Sequence, residues 1–216
     1  ANQLGFGFFD HLKNDSAKYK LSAHAICVLG TTSAKQYTQY IKAKPVVTGS
    51  LKNNLIGNQI MPAERFDIVY VSQHAPFEIP ISEMKFFFGH KSITAEEFYT
   101  IEQKIVRFLA AHSKQTNQSC AVLGKRTDSS QFEREFFASA ASPYNIQFIP
   151  RTSDTSTYEF CNSASIIVTA DSTIGYEFLA RGNRVVFLSG RINAVSDELS
   201  REAHDTDFGF PLELGT

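Results

Sequence analysis

Five short apolar runs constrain this chain more than any other feature: FDIVYV (66–71), CAVLG (120–124), IQFIP (146–150), SIIVTA (165–170) and RVVFLS (184–189). Each is of strand length, none alternates strictly between apolar and polar residues, and after the first they recur about every 20 to 26 residues. Strands that are apolar on both sides belong to a sheet covered on both faces, and this spacing leaves room for one helix between parallel neighbours. The pattern predicts an α/β fold, a Rossmann-like parallel sheet with helices on both faces. In such sheets crossovers are right-handed and ligands bind at the carboxyl ends of the strands.

The intervening segments carry helix signals. Thr94 with Glu97 fits a capping box, and Phe98, Ile101, Ile105, Phe108 and Leu109 share one face, which predicts a helix over 94–112. Ser130 with Glu133 opens a second helix carrying Phe136 and Phe137, and Ser156 with Glu159 opens a short third. A fourth begins near Asp171 and closes at Gly182. Residues 74–93 form a long excursion, and loops of that length are commonly functional. Its Phe86–Phe88 run fits either a loop or a short strand.

The first 65 residues read differently. HAICVLG suggests a strand, 33–41 a helix, KPVVTGS another strand, and LKNNLIGN a polar turn. These one and a half α/β units either extend the edge of the main sheet or are the tail of a second domain. The division expected is 1–65 as the tail of an incomplete amino-terminal α/β domain and 66–216 as the Rossmann-like domain.

With 216 residues, 43% hydrophobic and 20% charged, the chain can bury a core, which excludes disorder and collagen-like structure. Its net charge of −1 provides no global field for nucleic acid or an anionic membrane, and no aromatic-basic recognition module is present. No apolar run reaches the roughly 20 residues a spanning helix needs, so a protein without an integral membrane segment is expected. Cys27, Cys120 and Cys161 each sit in an apolar stretch, as reduced core thiols do, which points to the cytoplasm. No HExxH, CxxC pair, GxSxG or Walker sequence occurs, which disfavours zinc protease, zinc ribbon, serine hydrolase and P-loop kinase.

Four of the five strand ends carry a phosphate-compatible donor beyond Ser72 and Gln73: Lys125 and Arg126, then Arg151, then Asp171, Ser172 and Thr173, then residues 189–191. Guanidinium and ammonium groups neutralise phosphate oxygens, and hydroxyls with free amides at a helix start complete an anion cradle. Each residue alone reads equally as solvated loop; their shared sheet edge is what gathers them. In TADSTIGYEFLARG (169–182), Asp171 or Ser172 can cap the helix and Gly175 would admit a ligand close to the backbone. Glu177 either accepts from ribose hydroxyls or faces solvent. His74 and His90 fit polar loops better than a catalytic base, and His24 and His112 lie in strand and helix patterns.

SASIIVTADSTIGYEFLARGNRVVFLS, preceded by FDIVYVSQ, FLAAHSK and VLGKR, resembles the carboxyl-terminal domain of bacterial surface carbohydrate biosynthesis proteins, glycosyltransferases of the GT-B class. VVTGSLKNN resembles the close of their amino-terminal domain, and the likeness spans roughly 46–210. More distantly, the same element is similar to the donor half of capsule Kdo transferases and glycerophosphate-polymer transferases. The resemblance implies a metal-independent transferase with no cofactor, holding a nucleotide-activated sugar in this domain and a glycan or lipid-linked acceptor in the other. Ser172 and Thr173 would contact the donor phosphate, Glu177 the ribose, and Arg126 with Lys125 the leaving phosphate, while Gln73 would line the cleft. No Asp-x-Asp motif occurs, as in such enzymes. Their complete amino-terminal domain is represented only by its last part, so the chain is expected to bind donor nucleotide weakly and turn over slowly or not at all. The incomplete domain would leave an edge able to pair with another copy. A place in the cytoplasm, peripheral to the inner face of the membrane, is expected. Two other readings keep the fold: a nucleotide-sugar epimerase or hydrolase, for which no clear carboxylate or His pair is present, and a non-catalytic nucleotide-sugar binding module.

Overall fold

A computed structural model of the chain describes residues 15–56, 64–73, 85–88, 91–127, 130–170 and 172–188. It divides into two compact units. The smaller contains β1 (Ser22–Val28), α1 (Thr31–Tyr37), β2 (Lys42–Val47) and α2 (Leu51–Leu55). β1 and β2 pair in parallel as a two-stranded sheet of their own, so they do not extend the edge of the main sheet. Cys27 is exposed, contrary to the core thiol expected, while Val28 beside it is buried. The first five residues of the polar stretch expected as a turn form the short helix α2 instead, where the Ser50 hydroxyl accepts the Asn53 N–H at 3.2 Å and starts a helical turn.

The larger unit is built on β3 (Ile68–Val71), β6 (Cys120–Leu123), β7 (Gln147–Ile149), β8 (Ile166–Thr169) and β9 (Val185–Phe187). In sequence between β3 and β6, β4 (Lys85–Phe88) pairs with β5 (Lys91–Thr94) as a separate two-stranded sheet divided between the two units, so the triple-Phe run is a strand. The five main strands are those expected from the apolar runs. They lie in the order β7-β6-β3-β8-β9, all parallel. The chain moves outward from β3 to β7, then returns to place β8 on the other side of β3. That reversal between β3 and β8 is the position at which α/β sheets of this kind form a ligand crevice.

Alternation within the strands explains why both faces are apolar. Ile68, Tyr70, Cys120 and Val122 face a core completed by Val106 and Leu109 of α3 (Ala95–Thr116) and Phe137 of α4 (Ser130–Ala141). Val69, Val71, Ala121 and Leu123 face the opposite core, with Tyr158 and Cys161 of α5 (Ser156–Ser163) and Phe178 of α6 (Thr173–Ala180). Two helices therefore cover each face. The register is flush: Val71 sits beside Leu123 and Thr169, and these beside Ile149 and Phe187, so the residues that follow the strands form one row.

Helix ends follow local chemistry. α6 closes in a Schellman motif, with Gly182 at φ 85, its N–H on the Leu179 carbonyl and the Asn183 N–H on that of Phe178. Arg181 ties this end down, donating to Asn162 Oδ1 at 3.0 Å and the Ile56 carbonyl at 2.7 Å, with its guanidinium 4.9 Å from the Phe178 ring centroid. At α5 the hydroxyl that meets Glu159 belongs to Thr155, at 2.9 Å, one residue before the Ser156 expected. Ser156 instead accepts the Thr152 and Ser153 amides.

At the amino edge, Asp67 Oδ2 accepts the Ser119 N–H and hydroxyl, both at 2.8 Å, and these bonds hold its carboxyl below the usual value of 3.8. A depressed carboxyl stabilises the fold above its unfolded pKa, and that contribution is lost as pH falls through the folded one. Ser119→Ala should therefore destabilise the protein at pH 7, with the difference from wild type shrinking below about pH 4 in urea titrations.

Candidate functional site

The carboxyl ends of β6, β3 and β8 bring the sequence-predicted residues to one edge. β6 ends in the Gly124–Arg126 turn, where Lys125 and Arg126 are both exposed. Beside it, Gln73 follows β3, and the Lys125 ammonium reaches the Gln73 carbonyl at 3.4 Å. Beyond β3, Ser172 and Thr173 open α6. With β3 between them, the β6 turn and the start of α6 follow strands two places apart in the sheet.

The start of α6 favours an anion. Ser172 is the N-cap residue, in extended conformation, yet its side chain makes no capping hydrogen bond. Its own amide is taken by Thr169 Oγ1 at 3.0 Å, and the same hydroxyl reaches the Val71 carbonyl at 3.4 Å, which links β8 to β3 beneath the edge. The first turn of a helix leaves its amides without intrahelical partners, and the dipole there favours negative charge. Asp171, His74 and His90 lie outside the described residues.

Two buried carboxylates, neither singled out from the sequence as functional, shape this edge. Glu102 of α3 is 1% exposed and its Oε1 accepts the Tyr70 hydroxyl at 2.8 Å and the Gln73 amide at 2.7 Å. Glu133 of α4 is 0% exposed and accepts the Lys125 amide at 2.9 Å on Oε1 and the Arg126 amide at 3.3 Å on Oε2. Burial raises the Glu133 carboxyl above the usual value of 4.5, against the two amides and the neighbouring cations, which lower it. Glu133, expected to open α4 with Ser130, bonds across the β6–α4 turn instead. Gly124 is needed there, since a Cβ would lie 2.9 Å from both Glu133 Oε2 and Phe148 Cζ. A charged residue on an otherwise apolar helix face, as Glu102 is among Ile101, Ile105 and Leu109, was the available signal.

Three expected ligand contacts are engaged by the protein itself. Arg151 donates from Nε to the Ser153 carbonyl at 3.1 Å and from Nη1 to the Lys125 carbonyl at 3.2 Å, and its Nη2 pairs with Asp154. It braces the Lys125 turn. Gly175 is buried, and a Cβ there would lie 2.6 Å from Thr169 Cγ2 and 3.0 Å from Phe187 Cε1. Close contact of α6 with β8 and β9 requires glycine at this position. Glu177 Oε2 accepts the Tyr158 hydroxyl at 2.6 Å, and burial together with that bond raises the Tyr158 phenol. The bond fixes the Glu177 carboxylate toward α5. His112 has the structural role expected of it, bonded to Gln118 at 2.8 Å and stacked on Phe108.

A family model described as "putative O-antigen biosynthesis protein" matches residues 7–214. The chain belongs to this family. Membership in the O-antigen biosynthesis family supports a role in surface carbohydrate biosynthesis, the setting that the DSTIGYE segment and its Ala-Arg-Gly helix end suggest. No curated protein matches the chain. Among the described residues no helix is long and apolar enough to cross a membrane.

Proposed function

We propose that this member of the O-antigen biosynthesis family binds a nucleotide-activated sugar at the carboxyl edge of its five-stranded sheet and serves as the donor side of a GT-B type, metal-independent glycosyltransferase. The observation that carries this reading is the row formed by exposed Lys125 and Arg126, at the end of β6, and the α6 start that Ser172 leaves uncapped, flanking the reversal between β3 and β8. Glycosyl transfer breaks the bond from the anomeric carbon to a phosphate oxygen, and negative charge grows on that oxygen as the bond lengthens. Lys125 and Arg126 neutralise it, and the α6 amides with the Ser172 and Thr173 side chains hold the rest of the charged tail. Glu177, oriented by Tyr158, takes the ribose hydroxyls. The acceptor is a glycan or lipid-linked glycan.

A second reading, a nucleotide-sugar binding module without turnover, draws on one observation. Glu102, Glu133 and Glu177 each hold protein donors, so none of these three is set out as an acceptor base.

Thermal stabilisation by CMP, CDP, UDP and GDP tests the donor site. A nucleotide that binds only the folded protein stabilises it by about 1.4 kcal/mol at ten times its Kd, which for a chain of this size raises Tm by about 3–6 °C. One nucleotide of the panel should do so, with or without EDTA. The shift should be lost in Arg126→Ala and reduced in Glu177→Ala. Unchanged shifts in both variants would remove these residues from the site.

A further inference from the structure

We infer that Glu133 is the positioning residue of the donor site, a buried carboxylate that fixes the Lys125–Arg126 turn so that both cations face the same phosphate. This rests on the donor-site reading. The turn is held from two sides. Glu133 takes the amides of Lys125 and Arg126 with separate oxygens, at 2.9 and 3.3 Å. Arg151 takes the Lys125 carbonyl at 3.2 Å, and its guanidinium is anchored by Asp154 and the Ser153 carbonyl.

Two consecutive residues in a turn can point their side chains in many relative directions. Holding both amides on one rigid carboxylate removes that freedom before a ligand arrives, and preorganisation of this kind raises affinity without adding a contact. Glu133 can do this because α4 is packed: its Phe137 is 0% exposed, one helical turn beyond the carboxylate. A buried carboxylate is costly to keep, and burial has raised this one against its cationic neighbours, so its retention beneath an exposed cation pair fits a demand for placement.

Glu133→Gln tests this. The amide fits the same space but offers one acceptor and turns a donor toward the second backbone N–H, so the turn loses one of its two bonds. Affinity for CMP, CDP, UDP and GDP is measured at low and high salt, at a temperature where every protein is folded. For the nucleotide that binds wild type, Glu133→Gln should raise Kd about tenfold and flatten its salt dependence, because the two cations no longer meet the phosphate together. Ile68→Val, a core change at the opposite edge of the sheet, should change neither. If Glu133→Gln does not fold, Glu133→Asp, which keeps the charge and withdraws it by one methylene, takes its place with the same expectation. A Kd within twofold of wild type with the same salt dependence overturns the positioning role and leaves the donor site standing. A wild type that binds no nucleotide of the panel overturns the donor site, and the positioning role with it.

Discussion

Gly175→Ala should destabilise the protein by about 1–3 kcal/mol, lowering Tm by about 2–12 °C for a chain of this length. The new methyl would sit 2.6 Å from Thr169 Cγ2, and neither neighbour yields easily. Thr169 is 0% exposed and its hydroxyl is tied to both the Val71 carbonyl and the Ser172 amide. Phe187 is stacked on Tyr176 with ring centroids 4.4 Å apart. Thr169→Ser removes the obstructing methyl and keeps the hydroxyl. The double variant should therefore recover part of the loss, the remainder coming from Phe187 Cε1 at 3.0 Å. Additive losses in the double variant would contradict the packing role, and full stability of Gly175→Ala with loss of nucleotide binding would return the glycine to the ligand.

Glu102→Leu should be costlier, about 3–5 kcal/mol, because it removes an acceptor that two donors share. The Tyr70 hydroxyl and the Gln73 amide both donate to Oε1, and Tyr70 is fully buried. Each buried hydrogen bond lost costs about 1–3 kcal/mol when its polar partner stays behind. Tyr70→Phe removes one of the two donors and should cost about 1–3 kcal/mol alone. In the Glu102→Leu background it should cost far less, since the bond it removes is already gone. Urea unfolding of the two single variants and the double variant gives the coupling energy, expected above about 1 kcal/mol. Strict additivity would show that the two side chains do not share a bond.

The layered fold was legible because its signal is local. Runs such as IVYV and CAVL are apolar at every position, and only a sheet covered on both faces buries all four residues, as β3 and β6 do. The edge cations were legible for the same reason, since residues that follow parallel strands share an edge whatever the details. What each side chain meets there is not local. Arg151 follows β7 as a ligand-binding arginine would, but its partners are a carbonyl 26 residues earlier and its own loop. Glu133 stands three residues after Ser130, as a capping glutamate does, yet it binds the amides of the turn before the helix. Gly175 suits a phosphate loop and a tight helix–sheet contact equally, and only the place of Thr169 and Phe187 separates the two. Cys27 sits in an apolar run that predicts burial, yet it is exposed while Val28 beside it is buried.

Nuclear magnetic resonance of the isotope-labelled protein titrated with CMP, CDP, UDP and GDP tests the donor site most directly, because it reports where a nucleotide lands. For the nucleotide that binds, the backbone amides of Lys125, Arg126, Thr173 and Ile174 should shift together and saturate at one Kd. Shifts confined to the opposite edge, around Ile68 and Cys120, or no response to any of the four nucleotides, would contradict it.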